Sequence, residues 1–429
     1  MKNFCKKICV LFFLVAIQFF AGCAEDDSED FTLYPNNKYL VHKIFPNDYA
    51  KNDSASANLV HGIKLFVHPK ATYQLSFDID PNFEAPTLQL FRLFESKDKT
   101  TLQASKVRTL EPVIENGRYV YSFLCEENTS ATWATSLVLD EDYYPGRVTN
   151  IRFTGDGAYS DHFSINMILV GNIEQEIEGY TINDLASSLL QEFRKHYSSV
   201  TIDTIYINRA EKHPIWGSKY PSNEPWLAGY SSDDYFLSEL GGWPGLENAL
   251  DIVFVHYINQ EGVLGYSNLF SGNLGKGVGS TVVLATHVKA PYGEEAVSLK
   301  DIVETTLHET GHFFGLRHTT STMNDFLSSQ DYSIIEDGLE DTPFCEALLR
   351  SGLMKRPSVN YSLSTLPVMP GHGYRRTWWK SEEQDLLSSC PDSRNFMFPA
   401  TQEESFEGFS EQQLEVIRKN LMLFPHETK

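Results

Sequence analysis

The sequence predicts an α+β chain of more than one domain, a β-sandwich-like N-terminal unit followed by an α/β unit. Three observations carry this prediction. From residue 31 to about residue 171, short alternating apolar segments recur between turn residues, with no long stretch of helical periodicity. Near Asn172 the pattern changes to helix, strand, strand, strand, helix. At 429 residues the chain exceeds one ordinary core, and 41% hydrophobic residues are enough to pack two.

The first element is not part of either unit. Lys2, Lys6 and Lys7 precede an apolar run from Val10 to Phe20, too short to span a bilayer but suited to a signal-peptide core. The run ends in Phe20-Ala21-Gly22-Cys23, which resembles the lipobox of bacterial lipoproteins. That resemblance implies a signal peptide over residues 1–22 and lipid on Cys23. The acidic run from Glu25 to Asp30 makes residues 23–30 a tether of the kind that sends lipoproteins to the outer-membrane surface, or an ordinary solvated linker. The expected location is therefore the bacterial cell envelope, lipid-anchored to the membrane and surface-exposed. A formal net charge of −22 with no cluster of Lys and Arg argues against nucleic acid as a partner.

Residues 31–172 are expected to form the β-rich, sandwich-like accessory domain. Its strands are read at Thr72 to Ile79, Thr87 to Leu93, Arg118 to Cys125 and Phe163 to Val170. Asp80-Pro81-Asn82, Asn116-Gly117 and Gly155-Asp156-Gly157 supply the turns between them.

Residues 173–429 are expected to form the second domain. Thr181 can cap a helix whose Leu185, Leu189, Leu190 and Phe193 recur at helical spacing. Strands follow at Val200 to Ile207, Asp251 to Ile258 and Ser280 to Thr286, then a helix from about Ser298 to Gly315. Ser410 and Gln413 make a capping box before a last helix carrying Leu414, Ile417 and Leu421.

The helix near residue 308 contains His308-Glu309-Thr310-Gly311-His312, followed by Gly315 and His318. Histidines four apart share one helix face, so both imidazoles can reach one ion. Glu309 lies beside the first of them, placed to touch water at the metal without being a ligand. His318 cannot ligate from the same straight helix, because six residues further on is about 9 Å along the axis. The chain must turn, and Gly315 is the residue type that permits a positive-φ helix stop. Three imidazoles with one open position describe a catalytic zinc site, whereas structural zinc usually has four protein ligands.

This HExxHxxGxxH spacing is that of the metzincins, and the chain is identified as resembling that family of zinc proteases. The resemblance implies a metzincin-type α/β catalytic domain over residues 173–429. It implies one catalytic Zn2+ held by His308, His312 and His318, and hydrolysis of protein or peptide substrates by water that Glu309 activates. It also implies a methionine turn beneath the metal, and Asn395-Phe396-Met397-Phe398-Pro399 fits that place, with Met397 as its methionine. Within the clan the sequence is most similar to the pappalysins, through Asp337 to Pro343, through Cys345 and Cys390 framing the next loop, and through Phe409-Ser410 at the last helix. Cys345 and Cys390 are the expected disulfide of an exported chain, with Cys125 left free. The family binds substrate extended beside an edge strand; the expected strand is Ser280 to Thr286, and Phe398, Pro399 and Ala400 are expected to line the pocket after the cut bond. Some relatives carry Tyr two residues after the methionine, where this chain has Pro399.

Other residues receive plainer readings. His256 and His287, in or beside apolar strands, read as core histidines, and His372 as a loop residue. Cys125 alternates with Tyr119, Tyr121 and Phe123 and reads as a core thiol. Glu336, Asp337, Glu340 and Asp341 are open to two readings, Ca2+ ligands or a solvated loop. A rival function keeps the same fold: a surface adhesin or glycan-binding lipoprotein whose protease-like domain is inert. A monomer is expected in either case.

Overall fold

The computed structural model describes residues 64–67, 69–95, 102–128, 131–139, 142–144, 152–155, 161–220, 222–229, 237–246, 248–260, 262–267, 274, 281–290, 293–320, 337, 339, 341–345, 374–375, 381–399 and 406–423. Residues 1–30, including the expected signal peptide, Cys23 and the expected tether, lie outside the described residues, as do Glu336, Glu340, His372 and Ala400.

The first unit is built from β1 (Lys64–Val67), β2 (Thr72–Asp78), β3 (Thr87–Glu95), β4 (Leu102–Leu110), β5 (Val113–Glu115), β6 (Arg118–Leu124), β7 (Ala131–Leu139), β8 (Asp142–Tyr143) and β9 (Arg152–Gly155). They form two antiparallel sheets, one in the order β1-β7-β3-β4 with β8 beside β7, the other in the order β5-β6-β2-β9. Alternation sets the buried face, because successive side chains point to opposite sides. Tyr73, Leu75 and Phe77 on β2 lie directly opposite Phe123, Tyr121 and Tyr119 on β6, and all six are buried. Phe123 stacks on Trp133 of β7 at 6.0 Å, so an aromatic contact joins the two sheets. Asn116 and Gly117 between β5 and β6 both adopt positive φ, at 51° and 76°, as a two-residue hairpin turn demands. Cys125 is buried and free of any disulfide, and burial pushes its thiol up, which makes it the core thiol its alternation suggests.

The second unit is a six-stranded mixed sheet. β10 (His162–Leu169), β11 (Thr201–Arg209), β13 (Ala249–Val255) and β16 (Thr281–Ala285) run parallel, and β15 (Val263–Ser267) and β19 (Tyr374–Arg375) continue the sheet antiparallel. The order is β11-β10-β13-β16-β15-β19. Two sequence expectations change here. The strand read at Phe163 to Val170 belongs to this sheet and not to the β-rich unit, so a boundary at residue 172 would cut the sheet; the change of unit falls upstream of His162. The strand at Ser280 to Thr286 is no edge, since β16 is paired on both sides. The antiparallel strand next to it is β15.

Both sheet faces are covered, and the strands read as continuous apolar runs for that reason. Ile252 and Phe254 face one core with Leu185, Leu189, Phe193 and Leu307, while Val253 and Val255 face the other with Tyr220 and Trp243. The helices are α1 (Ile173–Glu176), α2 (Ile182–His196), α3 (Leu299–Phe313), α4 (Ser381–Ser388) and α5 (Glu411–Leu423). Thr181 and Asp184 form a capping box on α2, and Ser410 and Gln413 exchange bonds of 2.9 and 3.2 Å at the start of α5. Short strands β12 (Leu227–Ala228) and β14 (Tyr257–Ile258) pair in parallel, and β17 (His287–Ala290) with β18 (Gly293–Ala296) makes a hairpin. Among the described residues, no helix is long and apolar enough to cross a membrane.

Candidate metal centre

Helix α3 carries the centre. Ser298 caps it by accepting from the Asp301 N–H at 3.1 Å, and the helix is then buried along most of its length. It stops at Gly315, whose φ is 98°, and the Leu316 N–H turns back to the Gly311 carbonyl at 2.9 Å. This stop folds His318 back over the helix. Its Nε2 lies 3.2 Å from Nε2 of His308 and 3.2 Å from Nε2 of His312.

Three nitrogens at that spacing fit one ion. Zinc–nitrogen bonds of about 2.0–2.1 Å in a tetrahedral array place their nitrogens about 3.3 Å apart. The other ring nitrogens show which tautomers are present. Nδ1 of His308 donates to the Phe396 carbonyl, and Nδ1 of His312 donates to the Leu316 carbonyl at 2.8 Å. A neutral imidazole with its proton on Nδ1 has a lone pair on Nε2. Lone pairs therefore face one another where a cation would sit, and the donor set fits zinc. Burial, followed by the neighbouring imidazoles, holds His308 well below the ordinary histidine range, and burial brings His312 down to about 4. Both imidazoles are therefore neutral at neutral pH.

Glu309 is fully buried on the same helix. Its Cγ lies against Gly265 of β15, where a Cβ would approach to 3.1 Å. The strand next to the edge of the sheet therefore runs directly over the acid of the motif.

The turn at Asn395–Phe398 lies beneath the centre. Met397 is fully buried, its N–H is held by Asn395 Oδ1 at 2.8 Å, and its carbonyl accepts from the Thr319 N–H at 3.0 Å. A Cβ at Gly311 would sit 2.6 Å from Met397 Sδ, so the glycine inside the motif lets the methionine reach the helix backbone. Phe398 and Pro399 follow the turn and are buried. Cys345 and Cys390 are bonded, with S–S 2.06 Å and Cα–Cα 5.4 Å, and the Cys345 N–H donates to Thr320 Oγ1 at 2.9 Å. The disulfide thus anchors the chain just past His318.

Of the acidic group, Asp337 accepts from Thr342 Oγ1 and the Leu339 N–H. Asp341 accepts from Ser410 Oγ and from the Gln412 N–H, which makes it a cap of α5. These two carboxylates are engaged by protein donors.

Sequence reading missed three supports of the site. The Phe396 carbonyl that fixes the His308 tautomer is a backbone atom and leaves no sequence mark. Tyr197, at the end of α2, donates to the Leu307 carbonyl at 2.6 Å and pins α3 one residue before His308. Gly265 signals a close approach only when the neighbouring element is known.

No protein-family model matches the sequence, and no curated protein matches it. Among solved structures, the chain is similar to metalloproteinase-II from Bacteroides fragilis, at 12% identity over 58% of this chain and 85% of that one, with a TM-score of 0.24. It is also similar to the M60 catalytic domain of ZmpC from Clostridium perfringens, solved with the sialyl T antigen, at 10% identity over 65% of this chain and 51% of that one, TM-score 0.15. The ZmpB metallopeptidase of the same organism gives 10% identity, 67% and 52% coverage and a TM-score of 0.17. The chain spans about half the length of these last two. Scores this low establish no shared fold, and the proposal below rests on the geometry above.

Proposed function

We propose that this chain is a zinc-dependent endopeptidase of the metzincin kind, acting on extracellular proteins or peptides. The observation that carries the reading is the placement of His318 Nε2 3.2 Å from Nε2 of both His308 and His312, with Glu309 buried alongside. Zinc held there would supply acidified water and a polarised scissile carbonyl. His308, His312 and His318 would hold the ion, with the first two oriented by backbone carbonyls. Glu309 takes the proton of the attacking water and delivers it to the leaving amine. An extended substrate would add by β-augmentation at the β19 end of the sheet, beyond β15, which is itself paired to β16 and β19. Phe398 and Pro399, which follow the turn, would contribute to the wall of the pocket after the cut bond. The reading includes export and lipid anchoring through Cys23.

The test is cleavage of casein by wild type and Glu309→Gln, with zinc content measured on both. Loss of a general base costs about 10²–10⁴-fold, so the variant should keep the zinc of the wild type and lose most cutting. Cutting at the wild-type rate, or insensitivity of the wild type to a zinc chelator, removes this mechanism.

A further inference from the structure

A second cluster of charged side chains lies apart from the centre and shares no residue with it. His256, which directly follows β13, stands between two carboxylates from different elements. Its Nδ1 lies 2.6 Å from Glu176 Oε2 on α1, and its Nε2 lies 2.8 Å from Glu294 Oε2 on β18. An ionised carboxylate only accepts hydrogen bonds, so making both contacts requires a proton on each ring nitrogen. The ring that fits this position is the imidazolium, joined to both sides by charge-assisted bonds.

The surroundings suit one positive charge there. Glu176 and Glu294 occupy the two ring edges, and Glu178, just past α1, places a third carboxylate near the pair of histidines. The His287 ring stacks on His256 at 4.3 Å, and Tyr257 lies beside it at 5.5 Å. Burial, and then His256 itself, pushes His287 down, so the second imidazole stays neutral. The two bonds differ in shelter. The side chains of Glu176 and His256 are 11% and 10% exposed, whereas Glu294 is 45% exposed, so the outer bond is the one that water can replace.

That outer bond holds β18, which is exposed at all four of its positions. The hairpin ladder sets Lys289 directly opposite Glu294, and Lys289 Nζ donates to Asn259 Oδ1 at 3.2 Å, so a second cation stands within reach of Glu294. The hairpin is tied to both elements that meet at Glu309. The Gly262 N–H, just before β15, donates to the Lys289 carbonyl at 3.0 Å. The Val297 N–H, just before the Ser298 cap of α3, donates to the Thr286 carbonyl at 2.8 Å.

We infer that His256 is a proton-operated latch on the β17–β18 hairpin. With a proton on each ring nitrogen it ties Glu294 to Glu176 and holds the hairpin closed. When one proton leaves to solvent, the neutral ring can donate to only one carboxylate. The sheltered Glu176 keeps its bond, Glu294 turns to Lys289 and water, and the hairpin loosens as pH rises.

The experiment measures hydrogen–deuterium exchange by mass spectrometry on the full chain, in peptides covering β17 and β18, corrected for the intrinsic dependence of exchange on pH. It compares wild type with Glu294→Ala at about pH 6 and about pH 9, on either side of the ordinary histidine value. Wild-type protection should fall by about three- to tenfold at the higher pH, the size expected of one partly exposed charge-assisted bond. Glu294→Ala should show the lower protection at both pH values. Histidine labelled with 15N, with His256 assigned from the spectrum of His256→Gln, should show two ring protons at the lower pH and one at the higher. These readouts involve neither zinc nor cleavage. Equal wild-type protection at the two pH values overturns the latch, as does a Glu294→Ala chain that keeps the wild-type pH dependence. A His256 ring with a single proton at the lower pH also overturns it.

Discussion

Replacing Gly265 with alanine tests the contact between β15 and the helix that bears Glu309. A Cβ there would meet Leu284 Cδ1 at 2.8 Å, Thr305 Cγ2 at 2.9 Å and Glu309 Cγ at 3.1 Å. Carbon atoms are at ease about 3.5–4.0 Å apart, so the methyl overlaps three neighbours at once. None has room to retreat, because all three residues are at most 1% exposed. Overpacking of this kind costs about 1–3 kcal/mol, and relief requires β15 and α3 to separate by several tenths of an ångström. Misplacement of a catalytic group by about 1 Å can cost on the order of 10²-fold in rate. Urea unfolding should therefore show a loss of about 1–3 kcal/mol, and casein cleavage should fall by about tenfold or more. Adding Thr305→Ser removes Cγ2 but keeps the hydroxyl that donates to the Asp301 carbonyl at 2.6 Å. The double variant should recover part of both losses, with a coupling of about 0.5–3 kcal/mol. A Gly265→Ala protein with wild-type stability and wild-type cleavage would refute the close approach on which the placement of Glu309 rests.

Two further outcomes follow from buried groups away from that contact. Asp251 is fully buried on β13, bonded to Asn166 Nδ2 at 2.7 Å and the Gly242 N–H at 2.8 Å, yet desolvation prevails and pushes its carboxyl up from 3.8 to about 7. Between those values the folded chain binds the proton and the unfolded chain does not, so this group's contribution to stability falls as pH rises from about 4 to about 7, by about 4 kcal/mol in all. Asp251→Asn should flatten the pH dependence of urea unfolding over that window, and identical slopes would refute the assignment. The Cys345–Cys390 bond closes a loop with a sequence separation of 45, which the chain-entropy estimate equates with about 4 kcal/mol. Reduction, or the paired Cys→Ser variant, should lower stability by about 2–4 kcal/mol, and mass spectrometry finding both thiols free in protein purified without reductant would remove the bridge.

The parts of the site that sequence made legible are the parts fixed by local geometry. His308 and His312 share a helix face because four residues make about one turn, and Gly315 ends the helix because only glycine takes φ near 98° without cost. The caps at Thr181 and Ser410 are read within four residues of chain. What sequence hid depends on neighbours distant along the chain. Alternation at Phe163 to Val170 gives a strand but not the sheet that receives it. β15 is buried at all five positions, so it has no alternation to read, and a central glycine lowers its apparent strand character. His256 and His287 read as core histidines because burial is all that their apolar flanks convey. Their carboxylate partners are 80 and 38 residues away from His256.

The same distinction bears on how the metal centre comes into being. The helix supplies two ligand nitrogens locally, but the tautomer that aims His308 Nε2 inward depends on a carbonyl 88 residues downstream, at Phe396. That carbonyl is held in place because Met397 fills the space left by Gly311 and because Thr319 donates to Met397. His318 in turn lies between Gly315 and the segment that the disulfide anchors through Thr320. An isolated motif peptide would thus present the histidines without fixing which nitrogen faces the ion. If the proposed zinc reading holds, selective affinity would be a property of the closed turn, and it should be lost in the same cooperative step in which the turn is lost.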